Sequence, residues 1–430
     1  MANAQSRLTQ LPADKPSFRL QIPGVSEDQL LVRCFKSQAW HISSHYSWDI
    51  DCLAAPNLDL TSLSTKTAQL AIAWPPDTVW LGGIIQACIN QGTTPDNQWQ
   101  LCQFKLVSPL EPLAKSQHTR RFVNSSVVDI VKQVLETASW PSQQVQWQLT
   151  RDYPARPFTL QWNESDLAFM ERLLFEAGIN YVLQTDANQT TLVLFDDSRQ
   201  LARFADNGLP GVTEAGMVTT NEQIWNFNKN VALLSKSVSL RSYPFNQPDS
   251  SLLATASSQL SQVPSRGEIQ RHASDFATQE QGNLLAEAWI QAIDAERLVY
   301  TFQSNARGLQ PGQRFALTSH PWEPNYAGAD YTVTQIDCQG DQSGWLASEY
   351  AISPTILSIH SNTEQLPATY QIHAKAISAK QTFRHRPRSS PHFNHILPAI
   401  IVGDETSPHL DADGRYQVRF LLKQSRWIHR

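Results

Sequence analysis

Asp196 and Asp197 stand side by side after the apolar run Thr191-Leu192-Val193-Leu194-Phe195. Adjacent carboxylates are one arrangement that general acid and base work could use. At the end of a strand such residues more commonly close a loop, and that is the role expected of them. His385, His392, His395 and His409 gather in the C-terminal part, where imidazoles could share a metal. Their intervals match neither helical nor finger-type ligand spacing, so exposed or singly hydrogen-bonded histidines are expected. Arg384, Arg386 and Arg388 could hold phosphate, but a solvated linker or an ionic contact with a neighbouring subunit is the expectation. Asp411-Ala412-Asp413-Gly414 begins like a calcium loop, yet the motif needs a bidentate Glu six residues after the glycine, where this chain has Phe420. A hairpin turn is expected there instead. The sequence contains no Gly-x-x-x-x-Gly-Lys-Ser/Thr loop, no Gly-x-Ser-x-Gly elbow and no His-Glu-x-x-His, which argues against the commonest nucleotide, serine-hydrolase and zinc-protease designs. No catalytic, cofactor-binding or metal-ligating residue is therefore assigned.

Composition narrows the class further. A chain of 430 residues exceeds what one hydrophobic core serves, so two to four domains are expected. With 41% hydrophobic and 17% charged residues it is a folded globular chain. A net charge of −5 gives no global reason to expect nucleic acid as a partner. Cys34, Cys52, Cys88, Cys102 and Cys338 are odd in number, widely spaced and free of any Cys-x-x-Cys pair, so buried reduced thiols are expected rather than disulfides or zinc. Met1 to Pro16 has no apolar core of a signal peptide, and no run is long enough to span a bilayer. The chain is thus expected to be made in the cytoplasm and to leave it, if at all, by a dedicated machine.

The elements that must carry these residues follow from periodicity. Phe18 to Ile22, Leu30 to Phe35, Tyr46 to Cys52, Leu70 to Trp74, Val79 to Ile85 and Trp99 to Val107 are short strands of a barrel or sandwich. Val127, Ile130, Val131, Val134 and Leu135 recur at helical spacing behind Ser126 as N-cap. Phe158 to Trp162 alternates as a strand that stops at Asn163; Ser165 then caps a helix bearing Leu167, Met170, Leu173, Leu174 and Ala177, and Gly178 ends it. Ile179 to Leu183 and Thr191 to Phe195 are strands joined by the turn Asp186-Ala187-Asn188-Gln189. Val238 to Phe245 is a strand, Gln247 to Glu268 an exposed loop, and Ser274 to Ile293 a helix. Leu298 to Phe302, Arg314 to Leu317 and Tyr331 to Ile336 are strands around the Leu309-Gln310-Pro311-Gly312 turn. Beyond the basic connector Lys380 to Arg388, His395 to Gly403 is a strand, Asp413-Gly414 a tight turn, and Arg415 to Phe420 a strand burying Tyr416, Val418 and Phe420.

The order Glu164-Ser165-Asp166-Leu167, Arg172-Leu173-Leu174, Glu176-Ala177-Gly178-Ile179 and Tyr181, followed by Leu192 to Asp197 with its acidic pair, resembles the VgrG family of type VI secretion spike proteins. So do the aromatic-x-Gly core at Trp80 to Ile85, the Leu-x-Pro-Gly turn and the Asp-x-x-Gly-Arg at Asp411 to Arg415, and the resemblance runs from about Phe18 to Phe420. It implies a mainly β fold with inserted α/β elements: two tube-like β-barrels of the phage tail hub type, then the start of an OB-fold. The expected divisions are a first barrel over 1–112, an α/β insert over 113–217, a second barrel over 218–380, and a connector with the N-terminal part of an OB domain over 381–430. The sequence stops at Arg430 before an OB barrel could close and before any β-helix needle, which is expected of a truncated chain or an abbreviated family member. The resemblance implies a homotrimer that caps a hexameric Hcp-like tube on baseplate proteins, and carries a PAAR-type tip and effectors through the missing C-terminal region. No cofactor is implied. A contractile-tail phage or prophage hub has the same fold, and a spike with an intrinsic hydrolase activity is the rival of another class.

Overall fold

The computed structural model describes residues 17–74, 77–205, 207–213, 221–243, 251–260, 263–272, 276, 278–320, 326–350, 369–385, 398–404, 407–411 and 414–420. The first strands are β1 (Phe18–Gln21), β2 (Leu30–Gln38), β3 (Trp40–His41), β4 (Ser47–Ala54), β5 (Thr67–Trp74), β6 (Asp77–Thr93) and β7 (Gln100–Val107). Their alternation is that of half-buried strands: β4 turns Trp48, Ile50 and Cys52 inward and leaves Asp49 and Asp51 half-buried on the other face. Antiparallel pairing runs β1-β5-β6-β7-β4-β2. β1 and β2 are then stitched together by a side chain from far along the sequence. The buried Gln342 accepts from the Phe18 amide at 3.0 Å and donates to the carbonyls of Phe18 at 2.9 Å and Val32 at 2.6 Å. Its carboxamide substitutes for the peptide group that a neighbouring strand would supply.

The insert follows as α1 (Glu111–Lys115), β8 (Gln117–Ser125), α2 (Val127–Thr137), β9 (Val145–Gln148), β10 (Arg156–Ser165), α3 (Asp166–Ala177), β11 (Asn180–Thr185) and β12 (Thr190–Phe195). The expected caps are present. Ser126 accepts from the Asp129 amide, Ser165 from the Ala168 amide, and Gly178 ends α3 at φ +70. The strand expected to stop at Asn163 instead continues to Ser165, because a bulge with Asn163 at φ +45 restores pairing of Glu164 with His118. Apolar faces of α2, α3, β11 and β12 form one core around Phe169, Met170 and Tyr181. This block docks on the first strand circuit where Gly82 brings β6 close to β11; a Cβ there would collide with the Thr190 hydroxyl.

The second half comprises β13 (Leu209–Pro210), β14 (Ile224–Val231), β15 (Ser237–Ser242), β16 (Leu252–Ser257), β17 (Glu268–Arg271), α4 (Gln279–Arg297), β18 (Leu298–Ser304), β19 (Arg314–Ser319), β20 (Asp330–Asp341), α5 (Ser343–Glu349) and β21 (Thr369–Ser378). Here the ladders run β14-β18-β21-β20-β19-β13 and return to β14 through the parallel bridge between Gly211 and Ile224. β20 joins the two circuits, pairing Gln339 to Asp341 with Lys36 to Cys34 of β2. The interiors merge into one apolar cluster that runs from Phe18 and Trp48 to Phe315 and Ile372. Arg307 reinforces the seam, donating to the Ala73 carbonyl at 2.9 Å with its guanidinium 5.9 Å from the Phe18 ring.

β15, β16 and β17 form a separate three-stranded sheet under α4. The exposed loop expected over Gln247 to Glu268 therefore contains a strand. Its signal is weak in sequence because only Ala254 is fully buried, while Leu252 and Ala256 flank it with Thr255 and Ser257 outward. The helix expected from Ser274 begins at Gln279, after Thr278 accepts from the Gln281 amide. In the C-terminal segment β22 (Ala399–Ile401) pairs with β25 (Val418–Phe420), and β23 (Gly403–Asp404) with β24 (Ser407–Pro408). Tyr416, expected to be buried, is 57% exposed, and Val418 is exposed too. Among the described residues the pair meets no second layer that could cover either face. Part of the expected His395 to Gly403 strand, the residues 395–397, lies outside the described residues.

Candidate functional site

The adjacent carboxylates after β12 do different work. Asp196 is buried and accepts from the Thr150 amide at 2.8 Å, the Thr150 hydroxyl at 3.0 Å, the Arg151 amide at 3.2 Å and the Tyr153 hydroxyl at 3.0 Å. Four donors leave it little capacity to take a substrate's proton, and they fasten the Thr150 to Tyr153 segment to the end of β12. Tyr153 is itself held neutral by burial and the Asp196 charge, which raise its hydroxyl above the usual range. Asp197 caps the next turn by accepting from the Arg199 amide at 3.0 Å, and its other oxygen pairs with the Arg199 guanidinium at 2.8 Å. These hydrogen bonds hold the Asp197 carboxyl below the usual range.

The connector is not uniformly solvated. Arg384, expected in a hydrated linker, is 4% exposed and packs over Gly178 at the end of α3, where a cation meets the negative end of the helix dipole favourably. Desolvation, with repulsion from Arg151, pulls its guanidinium down to about 10. The His385 ring stacks 6.0 Å from that of His41 and lines a small cavity with Ser43, Glu171 and Tyr181. Tyr181 donates to Glu171 at 2.7 Å across this cavity. His409 is exposed. Arg386, Arg388, His392 and His395 lie outside the described residues, and among the described residues no group of three or more His, Cys, Asp or Glu could hold a metal.

At the calcium-like turn Gly414 takes φ +74 and donates to the Asp411 carbonyl at 3.0 Å, while the Asp411 carboxylate accepts from Arg415 at 2.5 Å. Asp413 lies outside the described residues. Four of the thiols occupy neighbouring strands of the first barrel. Cys52 and Cys102 are direct partners across β4 and β7, and burial pushes Cys34 up to about 12 and Cys88 up to about 11.

What the molecule does present is surface. Val123 and Phe158, 56% and 48% exposed, face each other across the β8–β10 ribbon. Val231 ends β14 exposed and Leu233 follows just beyond it at 70% exposure. Scattered exposed apolar groups are ordinary, and in these two pairs such groups adjoin one another. Periodicity could have flagged the ribbon, since Phe158, Leu160 and Trp162 alternate with the buried Thr159 and Gln161.

Two fused strand circuits, each carrying an α/β insert, are the architecture of a tail-hub class of protein. The chain matches the phage tail baseplate hub family over residues 41–344, and it belongs to that family. Within it, the sequence is similar to the type VI secretion system spike proteins VgrG4b of Pseudomonas aeruginosa and VgrG3 of Vibrio cholerae. The first is 26% identical over 72% of this chain and 38% of its own length, the second 24% identical over 94% and 39%. The chain thus spans about two fifths of the length of these relatives. An Escherichia coli component of the type VI secretion system, described as similar in structure to T4 bacteriophage tail proteins gp27 and gp5, shares the fold. It aligns with a TM-score of 0.67 at 18% identity, covering 94% of this chain and 89% of that one. No helix among the described residues is long and apolar enough to cross a membrane.

Proposed function

We propose that this chain is a structural subunit of a type VI secretion spike. Three copies assemble so that six similar barrels form a pseudo-six-fold ring, which caps a hexameric tube on a baseplate. The assembly forms in the cytoplasm and is driven outward with its tip and attached effectors by the contracting machine. The observation that carries this reading is the side-by-side fusion of two strand circuits through β20, because three such pairs match the symmetry of a hexamer. The roles of Asp196, Asp197 and Asp411 as internal acceptors fit a protein that works through faces rather than turnover.

Light scattering on the protein expressed from its complete reading frame, with and without hexameric rings of the tube protein, tests the proposal. The expected species is a trimer that co-sediments with the rings. A stable monomer that leaves the rings unbound overturns it. Binding to a phage tube protein but not to a secretion tube protein transfers the same geometry to a phage or prophage baseplate, the reading favoured by the family's phage hub character.

A further inference from the structure

The chain leaves β21 at Ser378 and turns back onto two other parts of the molecule. Phe383 packs with Ile42, which follows β3, and with Val182, Val193, Phe195 and Leu201 of the α/β block. Its amide donates to the Ser198 hydroxyl at 2.8 Å, and its carbonyl accepts from Asn180 at 3.1 Å and Arg384 at 3.3 Å. With the His385–His41 stack, a five-residue stretch ties the exit of the second barrel to the first barrel and to the insert.

The polar side of this contact is poorly met. The Arg384 Nε and both polar atoms of the Gln381 carboxamide are buried and have no hydrogen-bond partner among the described residues. Each such group loses its hydration without replacement, which opposes closure, while the apolar contacts of Phe383 favour it. The strap thus sets three unmet polar atoms against one apolar plug within five residues.

We propose that Gln381 to His385 form a release latch. Phe383 plugs the C-terminal exit onto the α/β block and the first barrel, and the unmet atoms of Gln381 and Arg384 leave the closed position marginal, so the strap opens as a unit while both barrels stay folded. This stands independently of the spike reading.

Hydrogen exchange read by mass spectrometry tests it. Amides of residues 382–385 are expected to exchange about a hundredfold faster than those of β20 and β21, at the low-stability end of local opening. Arg384→Met keeps the bulk of the side chain and removes the buried cation, and is expected to slow that exchange about tenfold. Phe383→Ala is expected to speed exchange about tenfold both in the strap and in residues 41–44 and 195–200, leaving β18 and β20 protected. Ser198→Ala, a small change outside the plug, is expected to speed the Phe383 amide. Faster strap exchange in Arg384→Met makes the arginine a net holder and overturns the balance. An effect of Phe383→Ala confined to its own segment removes the three-way tie, and loss of protection in β18 and β20 removes the independent opening.

Discussion

Cys88 shows how far a residue's neighbours can move it from its ordinary chemistry. Burial in the first barrel pushes its thiol up to about 11, although part of the side chain remains reachable. At pH 8 an ordinary thiol of pKa 9 is about one-tenth thiolate, and one at about 11 about one-thousandth. Alkylation of Cys88 by iodoacetamide at pH 8 is therefore expected to run about a hundredfold slower than that of a free thiol, rising about tenfold per pH unit toward 11. Because the folded state raises this pKa, its linked stability is fully present below about 9 and is lost as pH rises through about 11. Labelling of Cys88 at an ordinary thiol's rate at pH 8 would show the site to be far less desolvated than its packing implies. The sequence revealed the residue types at this scale but not their surroundings. The basic tract around Arg384 looked hydrated because of its composition, whereas packing over Gly178 buries that arginine. Asp196 and Asp197 looked equivalent, and only the fold gives one four donors and the other a turn to cap.

Helices were legible where their signals are local. Ser126, Ser165 and Gly178 each act within four residues, so the caps of α2 and α3 could be placed from spacing alone. Strand β16 was harder, since its inward residues are small and its partner Val238 to Leu240 lies beyond a long polar stretch. Gln342 was beyond such reasoning altogether: its acceptors and donor belong to Phe18 and Val32, 324 and 310 positions away. Because that carboxamide joins β1 to β2, Gln342→Leu should leave the Phe18 amide and the Phe18 and Val32 carbonyls unmet in a buried seam. The expected loss is roughly 3 kcal/mol or more in denaturant unfolding, with faster exchange at Phe18. Gln342→Glu keeps the acceptor for the Phe18 amide but sets an oxygen against the two carbonyls, and is expected to lose stability as well. A leucine variant within about 0.5 kcal/mol of the natural protein would mean that β1 closes on β2 without this bridge.

At the scale of the whole molecule, the two strand circuits are not beads on a string. Domains joined by a linker keep separate cores and open separately. Here one apolar cluster runs through both circuits, β20 pairs with strands of each, and Arg307 reaches from one to a backbone carbonyl of the other. Opening either barrel would expose apolar surface belonging to both, so the folding unit should be the pair. Native-state hydrogen exchange is expected to give the same opening free energy for β4 and β18, and calorimetry a single transition for the two barrels. Arg307→Ala would lower protection in both strands together, by about 1 to 3 kcal/mol, because it leaves the Ala73 carbonyl unmet at the seam. If β18 lost protection while β4 kept it, the barrels would be independent domains in contact. The distinction matters for a ring built from several chains. In the ring proposed above, a pair that opens only as one body would hold a fixed angle between neighbouring circuits, so each added subunit would set two positions at once and leave only the contacts between chains to be made on assembly.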